Sequence, residues 1–157
     1  MADFIRKHRN ISHHLTQEEV LSGRGIESIY LFLRSIGKCK NTDFTEEIEK
    51  ARDKSILISK FKNVDDTCKK TFEFFTRFYA RCAKNLVLDS MATGGIYIAG
   101  GIAAKNSNIF SQPLFLKEFN NAYRRNKILE KTPIYVIRNY DVSLLGACFA
   151  AVHHFIG

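Results

Sequence analysis

Glycines are the residues in this chain whose spacing most suggests chemistry. Gly94-Gly95-Ile96-Tyr97-Ile98-Ala99-Gly100-Gly101-Ile102 sets one glycine pair before a short apolar run and a second pair after it. A run of that length and β-branched character reads as a buried strand. Glycines just past such a strand let a ligand approach the backbone with no Cβ in the way. Open α/β sheets bind ligands outside the carboxyl ends of their strands, and a glycine pair there suits a nucleotide. The same pattern also makes a tight strand-to-loop turn with no ligand.

The remaining reactive groups lack partners at useful spacing. His13-His14 and His153-His154 are adjacent pairs, and adjacent residues on a helix do not share a face. His13 and His14 fall in a loop and are expected at the surface. Asp89 lies on a long helix, where a general base would need a facing cleft, and Asp141 follows Asn139 and Tyr140 in what reads as a turn. Cys39, Cys68, Cys82 and Cys148 form no CxxC pair, and no His stands at zinc-ligand spacing from them. Cys68 and Cys82 sit in helical patterns and are expected to act as small apolar residues. No catalytic residue and no metal ligand is assigned.

These residues must be positioned by a mostly helical chain. Residues 1–10 read as the tail of a helix with basic flanks. Thr16-Gln17-Glu18-Glu19 has the form of a capping box, followed by Ser22-Gly23-Arg24-Gly25. Ile26, Ile29, Tyr30, Leu33 and Ile36 repeat at three- and four-residue spacing, which predicts a helix stopped by Gly37. A polar loop over 38–43 leads to a helix expected from Thr45 to about Lys60. Asp65 or Asp66 caps a long helix to about Met91, with Phe72, Phe75, Tyr79, Cys82, Leu86 and Met91 roughly on one face. Strands are expected near 95–99 and 133–138, and helices from about Leu114 to Tyr123 and after a cap at Ser143. The order implies an α/β layer with a small parallel sheet. Two strands are few for a free-standing sheet, so further strands are expected to be missing and the edge beside Ile96 to Ala99 exposed.

Composition narrows the function classes. At 157 residues and 45% apolar, one packed unit is expected and disorder is not. The net charge of +8 is dispersed, with no zinc-finger or RNA-binding signature, so specific nucleic-acid binding is not expected. Purely electrostatic binding would have to fade steeply with salt. Met1 to Asn10 carries charges throughout, and no stretch of about 18 apolar residues could span a bilayer. A cytoplasmic location and no membrane partner are expected.

Three ordered blocks carry a resemblance. Glu18-Glu19-Val20-Leu21-Ser22-Gly23-Arg24-Gly25-Ile26 resembles the ErvLSGpGL segment of bacterial glucokinases, and Gly94 to Ile102 resembles their GGvfIAGGI, the adenosine motif of the hexokinase and actin superfamily. Ile134-Tyr135-Val136-Ile137 with Leu144-Leu145-Gly146-Ala147 resembles their closing strand and connecting helix. Residues 38–67 match poorly. The resemblance implies the helix-rich part of a ribonuclease H-like (actin-like ATPase) domain. It makes residues 1–157 a single partial domain, the carboxy-terminal portion of the large lobe. It implies ATP-dependent phosphorylation of glucose, with ATP and Mg²⁺ as cofactors. Glu18 would hold the sugar, and Gly100, Gly101 and Ile102 would seat the adenosine. Gly146 and Ala147 would lie on the connecting helix, where small residues allow close packing.

Where the family usually has proline, this chain has Arg24, which leaves the turn looser. The family's DxGGTxxR, GxGTGLG and GEGGH segments and its Asn-Asp base are not found in the chain. The expected partners are therefore glucose, ATP and an amino-terminal part of the enzyme, with a homodimer suggested by the family. The chain alone is expected to be inactive. The alternative is a non-catalytic sugar- or nucleotide-binding or dimerisation module.

Overall fold

The computed structural model describes residues 1–37 and 39–155. Ten α-helices and two short strands are present among them. They run α1 (Ala2–Arg9), α2 (Glu18–Leu21), α3 (Gly23–Ser35), α4 (Asp43–Lys50), α5 (Lys54–Phe61), α6 (Asp66–Ser90), β1 (Ile96–Ile98), α7 (Gly101–Lys105), α8 (Pro113–Asn120), α9 (Asn126–Lys131), β2 (Ile134–Val136) and α10 (Val142–Phe155).

The core forms between α3, α6 and α8. α3 contributes Ile26, Ile29, Tyr30 and Leu33, the spacing read from the sequence, and all four are buried. Its end is also as read: Ile36 caps it and Gly37 takes the left-handed φ of 67°. Along α6 the buried side chains are Cys68, Phe72, Phe75, Ala80, Ala83 and Val87, whereas Leu86 and Met91 face solvent. The apolar face is therefore rotated from the one expected. Successive steps of four from Phe75, through Tyr79 to Ala83 and Val87, turn the buried stripe by about 40° each, so near the helix end Val87 is buried and Leu86, about 100° from it, is not. Glu118 on α8 bridges to Arg77 and to Arg81, the latter at 3.0 Å, and ties α8 to α6.

Three local expectations are corrected. Thr16 caps nothing: α2 begins after Gln17, and the Glu19 carboxylate lies 3.9 Å from Arg9 on α1. A reciprocal box forms instead at Thr42, whose amide donates to Thr45 Oγ1 at 2.9 Å. The helix expected to run from Thr45 to about Lys60 is two helices, because Ala51 is extended and Asp53 caps α5 through Ser55 N. Ser143 lies inside the first turn of α10 rather than ahead of it. The loop expected over 38–43 includes Lys38, which lies outside the described residues.

β1 and β2 pair in parallel, with Ile96 opposite Ile134, Tyr97 opposite Tyr135 and Ile98 opposite Val136. Ile96 and Ile98 are buried against the core. The other face presents Tyr97 and Tyr135, stacked with ring centroids 4.8 Å apart and both exposed. Gly95 is required beneath them: its φ is 129°, and a Cβ there would lie 2.9 Å from Tyr135 Cε2. Among the described residues β1 pairs with β2 alone, so its other edge is open. α10 stands apart from the core. Leu144, Leu145, Phe149 and Val152 are all exposed, and none of residues 142–154 is buried.

Candidate functional site

Both strands deliver their carboxyl ends to one place. β1 ends at Ile98, and Gly100 follows with φ 104° and ψ 171° as the residue capping α7. A Cβ added at Gly100 would meet nothing within 4 Å, so this backbone faces open space. Gly101 opens α7, and a Cβ there would lie 3.0 Å from Tyr140 Cε2. Ile102 is half-buried and packs against the core.

After β2 the chain turns sharply. The Asp141 amide donates to Asn139 Oδ1 at 2.9 Å, so Asp141 belongs to the turn expected of it. Arg138 donates through Nε and Nη2 to Ser107 Oγ, at 3.3 and 3.2 Å. The result is a corner between the Gly100–Gly101 backbone and the turn that carries Tyr140. Its glycine floor leaves room for a flat ligand in van der Waals contact with the backbone.

Glu18 occupies a second position, at the start of α2. Its side chain is well exposed, and Arg24 Nη2 lies 3.4 Å from Oε1. The Arg24 that replaces the family's usual proline thus meets the carboxylate expected to hold a sugar. The turn beneath is not loose. Ser22 Oγ accepts from Gly25 N at 3.1 Å and donates to the Glu18 carbonyl at 2.7 Å. Arg9 donates to the Arg24 carbonyl and, at 2.8 Å, to Ser28 Oγ. Gly25 is needed for packing, since a Cβ would come within 2.4 Å of the Val20 carbonyl carbon. A cavity of about 480 Å³ borders this turn, lined by Ser22, Gly23, Arg24, Arg52 and Asp53 among others. Among the described residues no hydrogen bond or ion pair links Glu18 to Gly100, Gly101 or Ile102.

The other reactive groups are accounted for structurally. His13 Nδ1 meets the His14 carbonyl at 2.8 Å, and His153 packs on the Phe149 ring. Asp89 is exposed on α6. Burial pushes the Cys68 thiol well above its ordinary range, and Asp65 beside it adds to the shift, as befits an inert core residue. Among the described residues no three His, Cys, Asp or Glu side chains gather to hold a metal ion. Among them, too, no helix is long and apolar enough to cross a membrane. Sequence reading missed Tyr140 as a member of the corner, because only the β1–β2 pairing brings it to Gly101.

Fold and site together define a helix-rich α/β unit whose two parallel strands end in a glycine-lined corner. A glucokinase family model matches residues 2–154, and the chain belongs to the glucokinase family. The glucokinase of Nostoc punctiforme is 33% identical over 150 residues, covering 87% of this chain and 44% of that protein. That of Synechocystis sp. is 27% identical, covering 96% of this chain and 46% of that protein. The crystal structure of a glucokinase from an Antarctic psychrotroph superposes with a TM-score of 0.72 at 23% identity, over 96% of this chain and 44% of that one. The chain therefore spans less than half the length of the relatives it matches.

Proposed function

We propose that this chain is the adenosine-seating, carboxy-terminal part of an ATP-dependent glucose kinase with a ribonuclease H-like large lobe. It works with an amino-terminal glucokinase-family segment and is inactive without one. The observation that carries this reading is the match over residues 2–154 to a family whose members are more than twice as long. The uncovered surfaces support it. α10 exposes Leu144, Leu145, Phe149 and Val152, the sheet exposes Tyr97 and Tyr135, and β1 has an open edge. An isolated fourteen-residue helix is marginal in water, so α10 needs a cover.

In the assembled enzyme Glu18 accepts hydrogen bonds from two sugar hydroxyls and fixes the ring. Arg24 orients that carboxylate. Gly100 and Gly101 seat the adenosine, and Ile102 backs them. ATP supplies the phosphoryl group. Mg²⁺ and the base that accepts the proton of the attacking hydroxyl take their places on the amino-terminal segment. A Cβ at Gly146 would meet nothing within 4 Å, which leaves α10 free to be approached closely by that segment.

Hydrogen exchange tests the assembly. In the chain alone, amides of 142–155 should exchange with little protection. On addition of the amino-terminal portion of the Nostoc punctiforme glucokinase, those amides and those of β1 should slow by at least tenfold, as buried helix and paired strand do. Unchanged exchange in α10 and β1 would remove the proposed contact.

A further inference from the structure

We propose that Tyr140 is the aromatic wall of the nucleotide corner, against which the adenine base stacks. The inference rests on the reading of Gly100–Ile102 as the adenosine floor and adds a residue to it. Tyr140 lies beyond β2, 38 residues from Ile102 in sequence, yet its ring edge reaches Gly101: an added Cβ would stand 3.0 Å from Cε2 and 3.8 Å from Oη. The ring touches the glycine by its edge and is 69% exposed, so its faces remain available. Among the described residues it has no aromatic neighbour and its hydroxyl has no hydrogen-bond partner. Tyr97 and Tyr135 differ, because they stack on each other.

The ring is nonetheless held. On one side Arg138 is anchored to Ser107; on the other Asp141 is fixed by Asn139 and opens directly into α10. An exposed aromatic at a braced turn, beside an unobstructed glycine floor, offers two flat surfaces that meet at an angle. That geometry fits a purine, whose π-face stacks on tyrosine while its edge and ribose lie on the glycines. Stacking needs the ring and not the hydroxyl, and it acts on the base and not on the phosphates.

The test uses the whole chain, which has six tyrosines. Adenosine, ATP and inorganic tripolyphosphate are titrated while Tyr140 ring protons are followed by NMR, assigned by their loss in Tyr140→Phe and Tyr140→Ala. Adenosine and ATP should shift the Tyr140 ring protons upfield. Tyr140→Ala should weaken both ligands about tenfold, the effect of losing one base stack. Tyr140→Phe should bind as the parent does, and tripolyphosphate should be indifferent to either change. Equal adenosine affinity in the parent and Tyr140→Ala overturns the proposal and leaves the glycine floor standing. Absence of any adenosine or ATP binding to the parent chain overturns both.

Discussion

Replacing Glu18 by Ala should lower kcat/KM for glucose by two to three orders of magnitude in the assembled enzyme. A carboxylate that accepts from two hydroxyls makes two charge-assisted hydrogen bonds, each worth about 1.5–3 kcal/mol when the partner is left unpaired. Part of that loss should appear in KM and part in kcat, because a sugar held by fewer contacts also presents its reacting hydroxyl less often. Glu18→Gln keeps the shape and one acceptor, and should fall between. Nothing in the fold depends on this side chain: it is well exposed and meets only Arg24, across 3.4 Å. The thermal midpoint of the chain should therefore be unchanged. Steady-state kinetics with glucose varied at saturating ATP decides the matter, and unchanged constants would place Glu18 outside the sugar site.

The largest effect on stability is expected at Asp65. Its carboxylate caps α6 by accepting from Cys68 N at 2.8 Å and, through its other oxygen, from Thr42 Oγ1 at 2.7 Å. The residue is 3% exposed. One side chain thus joins the longest helix to the box that starts α4. Asp65→Ala removes both bonds and leaves the buried Cys68 amide unpartnered, which should cost about 3 kcal/mol. For a chain of this size that is roughly a 10 °C fall in the thermal midpoint. Asp65→Asn retains the cap and should recover about half. Burial alone would raise this carboxyl's pKa, but the bonds from Thr42 and Cys68 more than offset it, and the folded-state value lies below the ordinary one. The contribution is therefore complete above the unfolded-state pKa of about 4 and is lost as pH falls through the lower folded-state value. Denaturation of the parent and Asp65→Asn at pH 7 and below pH 4 checks the sign: the gap between them should narrow in acid.

Much of this arrangement was legible in the sequence where one residue type dictates one local geometry. Ile96 to Ile98 and Ile134 to Val136 read as strands because both are short apolar runs rich in β-branched residues, the first set between glycine pairs and the second opened by Pro133. Asp65 and Gly37 marked real helix ends. Where several partners compete, local reading failed. Thr16 to Glu19 has the letters of a capping box, but Glu19 is drawn to Arg9, a tertiary partner that no local pattern reveals. The break between α4 and α5 carries no glycine or proline, and it exists because the Asp53 carboxylate bonds Ser55. The site shows the same division. Gly100 and Gly101 stood out by type, and Glu18 only through family resemblance. Tyr140 needed the parallel pairing of two strands nearly 40 residues apart.

The central claim is that this chain is one necessary part of a glucose kinase. Its most direct test is glucose-dependent ADP release, measured for the chain alone and for the chain with the amino-terminal portion of the Nostoc punctiforme glucokinase. The account predicts no release from either part and release from the mixture, lost again when the chain carries Glu18→Ala. Turnover by the chain alone would contradict the need for a second segment. A mixture that associates, binds glucose and ATP, and still releases no ADP would contradict the catalytic reading and make the chain a binding module.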